Sequence, residues 1–320
     1  MTPSKYLVTG GAGFIGSNLV RFLLDKGQHV VVLDDFSRGK QENIDELFGT
    51  GRLHLIRGDI RNAAVVSRAM EDCRAVFHLA AFGSIPLSVA DPIVNFDVNV
   101  NGTLTVLESA RKCGIKRIVF ASSASVYGGA SIGPASEQLV IFPTSPYAAS
   151  KAACEAYLKA YATTYGMETV PLRYFNIFGP RQDDTQEFPG VVPSFIKNIL
   201  EGVTPVIYGD GNQTRDFCHV ENACIANWLA ANAPAHCCDG NPVNVGCGES
   251  YTVNDILTFL KNKFGSGLNP RHEATRAGDV YHTTADISLI RDKFGYEPQV
   301  GFCEGLEATA TWYGNRFSNK

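Results

Sequence analysis

The chain has 320 residues, of which 45% are apolar and 19% charged, and its formal net charge is −4. These values are typical of a globular protein with one large or two modest domains, and the mild acidity excludes a basic nucleic-acid-binding surface. No apolar run approaches the roughly 18–20 residues that span a bilayer, and the N-terminus enters a strand-like run so early that we expect no secretory signal.

The first half of the chain alternates short β-branched runs with helix-like segments. The strand-like runs are KYLVTG, HVVVLD, LHLIRGD, AVFHLA, RIVFASS and ETVPLRYF. The helix-like segments include 14–26, 62–72, 92–113 and 147–165. Strands that are apolar throughout and separated by helices indicate a parallel sheet covered on both faces. We therefore predict a doubly wound α/β (Rossmann) domain, with ligands at the carboxyl ends of the strands.

The alternation of strands and helices becomes less regular after Phe175. A polar loop, GPRQDDTQEFPG, precedes a predicted helix near 191–201, a strand at 205–208 and helices near 220–232, 252–264 and 304–315. We interpret residues 1–176 as the nucleotide-binding domain and residues 177–320 mainly as a smaller α/β lobe for the substrate. Some segments of this lobe, around 217–247, are expected to pack back on the first domain.

A glycine-rich turn joins the first predicted strand to the first predicted helix. Gly11, Gly13 and Gly16 have G-x-G-x-x-G spacing, and Gly10 adds a G-x-x-G-x-x-G alternative. Glycines let the backbone approach a pyrophosphate, and the helix N-terminus supplies free N–H groups. Glycines can also serve only to form a tight turn, but the flanking strand and helix favour a dinucleotide site.

Two acidic residues after the next strands indicate which dinucleotide is bound. VVVLDDFSRG places Asp34 eighteen residues beyond Gly16. A carboxylate there binds a ribose 2′-hydroxyl and repels a 2′-phosphate, which favours NAD, while Arg38 leaves NADP open. Asp59, after the third strand, is expected near the adenine, although taken alone it has the character of a solvated turn residue.

Three serines are followed by a tyrosine–lysine pair. Ser122, Ser123 and Ser125 emerge at the carboxyl end of RIVFASS. Tyr147 and Lys151, four residues apart, share one face of the next predicted helix. Free tyrosine is a poor base near neutral pH, but a nearby ammonium and a cationic nicotinamide lower its pKa. We predict Tyr147 as the base, Lys151 as its activator and ribose ligand, and Ser123 as the group that bonds the reacting oxygen.

The nine cysteines show no C-x-x-C pair and no metal-like spacing. Most lie in apolar segments, where a reduced thiol behaves as a small hydrophobic side chain. The adjacent residues Cys237 and Cys238 form either a redox-active pair or part of a surface loop, and the loop is the simpler interpretation. We therefore expect a reducing cytoplasmic setting and no metal, and we expect His219 to be structural.

Several short motifs carry a resemblance to a known family. They are TGGAGFIG, HLAA, NVNGT, SSASVYG, SPYAASK, LRYFNIFGPRQ, VIYGDGNQTRDFCHVEN and RAGDVYHTTADIS. They resemble the extended short-chain dehydrogenase/reductases over essentially the whole chain, and within these the UDP-hexose 4-epimerases, particularly those of UDP-N-acetylglucosamine. The resemblance implies bound NAD, a UDP-sugar substrate, and a homodimer formed through helices 92–113 and 147–165.

The resemblance also implies site residues, position by position. The implied cofactor contacts are Gly10, Gly13, Phe14, Ile15, Gly16, Asp34, Asp35, Phe36, Ser37, Gly39, Asp59, Ile60, Leu79, Ala80, Ala81, Asn99, Ser122, Tyr147, Lys151 and Phe175. The implied substrate contacts are Ser84, Ser123, Ser125, Tyr147, Asn176, Val192, Tyr208, Arg215, Arg276, Asp279 and Thr283.

Four of the substrate contacts have specific implied roles at the nucleotide end. Arg215 and Arg276 would clamp the diphosphate, because a guanidinium matches phosphate oxygens bidentately. Val192 and Tyr208 would line the uridine site. Without the family, Arg215 followed by Asp216 would be interpreted as a surface ion pair.

Thr283 is implied as a determinant of the sugar. It lies four residues after Asp279, where a large tyrosine would restrict relatives to UDP-glucose and UDP-galactose. A small threonine leaves room for an N-acetyl group, so we expect both plain and acetylated hexoses to be accepted. The alternative is that Thr283 merely occupies a strand or loop edge.

The residues after the strand serine favour one reaction. All of these relatives first oxidise the sugar C4 hydroxyl with NAD, and related dehydratases and decarboxylases carry carboxylates just after the strand serine or threonine. Here these positions are Ala124 and Ser125. Close UDP-N-acetylglucosamine epimerases have an additional serine in place of Ala124. Epimerisation is therefore favoured over dehydration and decarboxylation. A uronic-acid or pentose 4-epimerase stays open as an alternative, and the intact Ser123, Tyr147 and Lys151 argue against an inactive NAD-binding scaffold.

Overall fold

A computed structural model describes residues 4–129, 133–185, 189–275 and 280–318. The strands are β1 (Lys5–Thr9), β2 (His29–Asp34), β3 (Leu53–Arg57), β4 (Ala75–His78), β5 (Arg117–Ser123), β6 (Glu168–Tyr174), β7 (Ile177–Phe178), β8 (Val206–Tyr208), β9 (Thr214–Arg215), β10 (Cys218–His219), β11 (Val243–Val245), β12 (Tyr251–Thr252), β13 (Arg271–Glu273) and β14 (His282–Thr283). The helices are α1 (Phe14–Asp25), α2 (Ala63–Ala69), α3 (Ile85–Ala90), α4 (Pro92–Phe96), α5 (Gly102–Lys112), α6 (Pro146–Tyr165), α7 (Val191–Leu200), α8 (Val220–Asn232), α9 (Val253–Phe264), α10 (Ser288–Phe294) and α11 (Phe302–Ser318).

Seven parallel strands form the central sheet, in the order β3-β2-β1-β4-β5-β6-β11. The chain builds outward from β1 in one direction through β2 and β3, and in the other through β4 to β6. The strand order therefore reverses between β1 and β4, which is where ligands bind in doubly wound sheets. The predicted α/β fold is confirmed.

Alternate residues of each strand enter two different cores, one on each face of the sheet. Tyr6 and Val8 of β1 join the core that also contains α1 and α8, whereas Leu7 joins the core that contains α2, α5 and α6. Phe77 and Val76 of β4 divide in the same way. Because side chains alternate across a strand, only strands that are apolar at every position can fill both cores.

The helix α6 begins and ends at signals that are readable in the sequence. Ser145 accepts a hydrogen bond from the Ala148 N–H at 3.2 Å, and Pro146 occupies the first turn. Gly166 follows the last turn with φ 63°. These residues are typical of helix ends. They place Tyr147 and Lys151 in the first two turns of α6, which packs against β5.

A third apolar core lies outside the central sheet. It contains residues of α7, α9 and α11 together with Phe178 and Phe217. In one small sheet β9 lies between β12 and β14, and in another β8 pairs with β13. In contrast, α8 packs against α1 and β11 pairs with β6, so the segment from 220 to 245 extends the central sheet and covers it.

The six strands predicted in the first half are present as β1 to β6, and the predicted helix 92–113 is present as α4, a π turn (Asp97–Asn101) and α5. The later predicted helices correspond to α7, α8, α9 and α11. Not predicted were α3, α10, β7 and β9 to β14. Most of these elements have only two or three residues, and long-range pairing rather than local pattern defines such short strands.

All nine cysteines are free thiols. Cys238 is buried in the core beneath α8, whereas Cys237 is half-buried. Within the described ranges, no helix is both long enough and apolar enough to cross a lipid bilayer.

Candidate active site

The glycines of the first turn meet different steric constraints. Gly10 has φ +69°, and a Cβ there would lie 2.8 Å from the Ala80 backbone. A Cβ on Gly16 would lie 2.0 Å from the Gly10 carbonyl oxygen, so Gly16 lets α1 pack onto the turn. A Cβ on Gly13 would meet only that oxygen, at 3.2 Å. Gly13 therefore leaves open space in front of α1, as close approach of a pyrophosphate requires.

The N-terminus of α1 can accept an anion. Gly13 is the N-cap residue, and among the described residues no side chain caps this end and no acid lies in the first turn. The first N–H groups of α1 therefore remain free, and the helix dipole favours negative charge there. Phe14 and Ile15, which follow Gly13, line the adjoining cleft.

Asp34 holds the glycine turn against the end of β2. Its buried carboxylate accepts hydrogen bonds from the Ala12 and Phe36 N–H groups, each at 2.9 Å. Burial raises the pKa of this carboxyl, and the two backbone bonds oppose that rise. Phe36 has φ 62°, a conformation that is uncommon for a non-glycine residue. Asp34 is therefore part of the frame of the cofactor site as well as its predicted ribose ligand.

A cavity of about 110 Å³ brings together most of the predicted adenosine contacts. Its walls include Gly10, Gly13, Asp34, Asp35, Ser37, Arg38, Gly39, Asp59, Ile60, Leu79, Ala80 and Ala81. The carboxylate of Asp59 is ion-paired with Arg61 at 2.5 Å, and this pairing lowers its pKa. Asp59 lines the cavity as a turn residue that is 34% exposed and ion-paired with Arg61, so both interpretations of it stay open.

Ser123, Tyr147 and Lys151 meet at the carboxyl end of β5. Ser123 and Tyr147 line the same cleft, and the Ser123 hydroxyl acts to lower the pKa of the Tyr147 phenol. Lys151 Nζ is buried, donates to the Ala121 carbonyl oxygen at 2.7 Å and lies 5.8 Å from the centre of the Tyr147 ring. The structure therefore brings the three predicted catalytic residues together.

Burial controls the ionisation of this group. It lowers the pKa of Lys151 to about 8. It also raises the pKa of Tyr147, although the Ser123 hydroxyl opposes that rise. In the protein alone the phenolate loses more hydration than its neighbours replace, and the predicted lowering of the Tyr147 pKa by the ammonium together with a bound nicotinamide stays a prediction.

Ser122 lines the cleft, but its hydroxyl is directed behind it. The residue is 2% exposed, and its hydroxyl donates to Glu155 Oε1 at 2.5 Å. Side chains of successive strand residues face opposite sides, so the Ser122 hydroxyl does not lie beside that of Ser123. The predicted contact of Ser122 with the cofactor stays a prediction, and its hydroxyl belongs to a buried network behind the cleft.

Asn99 supports α6 instead of facing the cofactor. It lies in the π turn, is 2% exposed, and donates to Ser150 Oγ at 2.9 Å while accepting from the Phe82 N–H at 2.7 Å. Ser150 in turn donates to the Tyr147 carbonyl oxygen at 2.8 Å. Its predicted role as a direct cofactor contact is corrected, because these bonds occupy its amide.

Sequence reasoning missed two further supports of the site. The Tyr147 N–H donates to Ser88 Oγ at 3.1 Å, which fixes the first turn of α6. His78 is buried between Thr9 and Thr103, with nitrogen–oxygen distances of 2.7 and 3.0 Å. Burial, and the charge of Lys151, lower the pKa of His78 to about 3, so it is neutral. No motif marked either residue, since each acts only through contacts between distant segments.

A cleft of about 660 Å³ lies in front of this group. Its walls include the predicted contacts Ser123, Ser125, Tyr147, Phe175, Asn176, Arg215 and Thr283. The hydroxyls of Ser125 and Thr283 are buried and have no hydrogen-bond partner among the described residues. Buried hydroxyls without partners are costly, so both are available to a polar ligand.

A smaller cavity of about 170 Å³ adjoins the cleft through Asn176 and Arg215. Tyr208 and Val191 line it. Val192 is instead 1% exposed and belongs to the apolar core of the second lobe. Consecutive helix residues differ in direction by about 100°. Val191, and not the predicted Val192, therefore lines this cavity.

The remaining predicted substrate contacts have different outcomes. Ser84 caps α3 by accepting from the Leu87 N–H at 3.4 Å, directly after the cleft residue Gly83. Arg276 and Asp279 lie outside the described residues.

Asp216 is fully buried and accepts three backbone hydrogen bonds, from Cys247, Gly248 and Ala285, at 2.8–3.1 Å. Burial raises its pKa to about 6. The alternative of a surface ion pair between Arg215 and Asp216 is therefore wrong.

No cluster of metal-ligating side chains occurs in the part of the chain that the structure describes. His219 caps α8 and packs against Phe178, and burial lowers its pKa to about 4. These contacts give His219 a structural position.

Comparison with known proteins identifies the family. The model of the NAD dependent epimerase/dehydratase family matches residues 6–246. The chain belongs to this family. The predicted resemblance to the extended short-chain dehydrogenase/reductases is thereby confirmed, and NAD, the family's cofactor, fits the open glycine turn, the uncapped helix and Asp34.

Three members of the family span nearly the whole chain. UDP-glucose 4-epimerase of Mycolicibacterium smegmatis is 38% identical, over 98% of this chain and 99% of its own. UDP-N-acetylglucosamine 4-epimerase from Methanobrevibacter ruminantium, solved with UDP-N-acetylmuramic acid, is 39% identical with a TM-score of 0.92, covering 99% and 100% of the two chains. dTDP-glucose 4,6-dehydratase of Streptomyces venezuelae, solved with NAD, is 34% identical with a TM-score of 0.90, each chain being covered to 98%.

The steric role of Gly16 gives a testable prediction. Gly16→Ala should lower the free energy of unfolding by about 1–3 kcal/mol, because its Cβ would meet backbone that cannot rotate away. Gly49→Ala is the control, since its Cβ meets nothing within 4 Å and should change stability by less than about 0.5 kcal/mol. Urea denaturation measures both, and equal stability of the two variants would contradict the packing argument.

Proposed function

We propose that the chain is a UDP-hexose 4-epimerase that acts through a transient 4-keto sugar, with UDP-N-acetylglucosamine and UDP-glucose as substrates. The observation that carries the proposal is a cleft in which Ser123, Tyr147 and Lys151 are assembled without a carboxylate. Among the described residues of the cleft wall, none is Asp or Glu. Elimination of water across C5–C6 needs an acid and a base beside the ring, so this wall favours epimerisation over dehydration.

The protein's own residues handle the proton. NAD, when bound, accepts the C4 hydride and returns it to the opposite face of the ketone. Tyr147 takes the C4 hydroxyl proton in the oxidation and gives it back in the reduction. Lys151, with a pKa of about 8, is mostly protonated at neutral pH, and its ammonium stabilises the phenolate that forms. Ser123, in the same cleft wall as Tyr147, bonds the reacting sugar oxygen.

The cleft also suits rotation of the 4-keto sugar between the two hydride transfers. The free hydroxyls of Ser125 and Thr283 can bond sugar oxygens in more than one orientation. At the other end, Arg215 and Asn176 lie where the cleft meets the smaller cavity with Tyr208. We assign the diphosphate to that junction and the uracil ring to the smaller cavity. Anchoring at the nucleotide end leaves the hexose free to turn.

Substitution of the base tests this mechanism. Tyr147→Phe should keep the fold and the bound NAD but reduce turnover of UDP-glucose by about 10²–10⁴-fold, because only the proton-transfer group is lost. NMR of the UDP-sugar products measures turnover, and absorbance of extracted cofactor measures NAD.

Tyr157→Phe, on the exposed side of the same helix, should retain wild-type activity. Near-normal turnover by Tyr147→Phe would exclude Tyr147 as the base. Wild-type protein that forms a 4-keto-6-deoxy sugar would be a dehydratase, and wild-type protein that binds NAD without converting any UDP-sugar would be a scaffold.

The substrate range is tested at Thr283. Its main chain is fixed by pairing with β9, and its side chain lies in the cleft wall. Thr283→Tyr should lower kcat/KM for UDP-N-acetylglucosamine by about ten- to a hundredfold, because overfilling a pocket typically costs about 1–3 kcal/mol. UDP-glucose, which lacks the N-acetyl group, should be converted as before.

Thr283→Ser is the control, since it keeps the small size and the hydroxyl. It should convert both sugars. Equal slowing of both sugars by Thr283→Tyr, or a wild type that ignores the acetylated sugar, would show that Thr283 is not the determinant.

We further propose a homodimer formed through α4, α5 and α6. Ile93 and Phe96 on α4 are 76% and 53% exposed, and Tyr157 on the adjoining α6 is 40% exposed. The double substitution of Ile93 and Phe96 by Glu should convert a dimer into a monomer in sedimentation velocity at equal concentration. Val140→Glu, at an 86% exposed site elsewhere, should leave the dimer intact. A wild-type monomer would contradict the proposal.

A further inference from the structure

A buried polar network lies directly behind the serines of β5. The carboxylate of Glu155 on α6, a residue that is 6% exposed, accepts from Ser122 Oγ at 2.5 Å and from Arg173 at 2.9 and 2.7 Å. Arg173 on β6 also donates to Tyr127 Oη at 2.9 Å, and Tyr127 donates to Asn244 Oδ1 at 2.7 Å. The network therefore joins α6, β5, β6 and β11 at the edge of the sheet that carries the active site.

Glu155 shares a helix face with Lys151, because the two residues are four positions apart on α6. Burial lowers the pKa of Lys151, and Cys154 and then Glu155 oppose that lowering. The other titratable groups that face Lys151 are His78 on β4, and Tyr147 and Cys154 on α6. All three are neutral near pH 7, since burial lowers the pKa of His78 and raises those of Tyr147 and Cys154. Glu155 therefore adds a negative charge to the face of α6 that carries the buried ammonium, and it shares that charge with Arg173 at 2.7 Å.

Stability alone does not explain this arrangement. Bringing a carboxylate and a guanidinium out of water costs about as much as their attraction returns, so a buried ion pair adds little net stability. This polar network takes the place of apolar packing at one end of β5. Its effect on neighbouring groups of the active site explains it better than its contribution to stability. Those neighbours are Ser122, one residue before Ser123, and the ammonium of Lys151.

We propose that Glu155 is a positioning residue of the active site. Through Ser122 it holds the end of β5 that presents Ser123, and through its carboxylate it keeps Lys151 protonated beneath Tyr147. Arg173 fixes the orientation of Glu155 with two parallel hydrogen bonds. The effect on turnover rests on the proposed 4-epimerase function, whereas the effect on Lys151 does not.

The other end of the same two strands provides a matched control. Arg117 on β5 and Glu168 on β6 are partners in register, and their guanidinium–carboxylate distances are 2.8 and 2.5 Å. This pair also joins an arginine to a glutamate, with side-chain exposures of 11% and 25%. It lies at the amino ends of the strands, away from Tyr147 and Lys151. Glu168→Gln therefore removes a glutamate charge that is paired with an arginine of β5 without touching the site.

The test is the titration of Lys151 in Glu155→Gln and Glu168→Gln. NMR of protein labelled with [ε-¹³C]lysine follows the ammonium directly, and the signal missing from Lys151→Met assigns it. In Glu155→Gln the pKa of Lys151 should fall by about one pH unit, because the negative charge is lost and Arg173 remains. In Glu168→Gln it should equal the wild-type value. The alkaline limb of the kcat profile for UDP-glucose should move with the NMR value.

Two further variants distinguish the effect of the Glu155 charge from a general loss of folding. Glu155→Asp keeps the charge and should restore the titration of Lys151, and Ser122→Ala should lower kcat without moving that titration. An identical Lys151 titration in wild type and Glu155→Gln would overturn the proposal, as would an equal shift in Glu168→Gln. If Glu155→Gln does not fold, undiminished kcat in Ser122→Ala overturns the positioning role. If the Lys151 pKa shifts in Glu155→Gln but the wild-type protein converts no UDP-sugar, the positioning role of Glu155 would be supported and the proposed epimerase function rejected.

Discussion

The ammonium of Lys151 is a single charge in an almost water-free position, and the site is organised around its burial. The Ala121 carbonyl oxygen accepts one of its protons at 2.7 Å, and its nitrogen lies 4.7 Å from the Phe120 ring centre. Without compensation, a lysine in such a position loses its proton. Burial of the same kind makes Tyr147 reluctant to ionise. Burial therefore acts on both groups in the same sense, because it favours the neutral form of each.

The parallel sheet makes this arrangement possible. The order of its strands reverses between β1 and β4, so the glycine turn, the end of β4 and the end of β5 open onto one edge. Gly10 approaches Ala80 so closely that no side chain fits between the two loops. The glycine turn, which would receive a cofactor's anionic groups, and the hydroxyl–phenol–ammonium group thereby lie at the same edge, and residues of the second lobe complete the cleft.

Membership of the family limits the possible reactions of this protein but does not identify the product. Epimerases and dehydratases of 34–39% identity share this fold over nearly their full length. The oxidising machinery is common to both reactions, whereas the side chains around the sugar ring decide the fate of the ketone. In this chain Ala124 and Ser125 stand in place of acids, and this composition of the wall, more than the fold, supports epimerisation.

The sequence by itself determined the α/β alternation, the glycine turn, Asp34 and the spacing of Tyr147 and Lys151, because each is a local pattern. Periodicity and helix-end residues place such groups within a few residues of their final positions. Only the tertiary structure decided that Ser122 and Asn99 face buried partners, that Val191 rather than Val192 meets the cavity, and that Glu155 pairs with Arg173 behind the cleft. Those outcomes depend on which face of a strand or helix meets another segment, and a difference of one residue reverses the direction of a side chain.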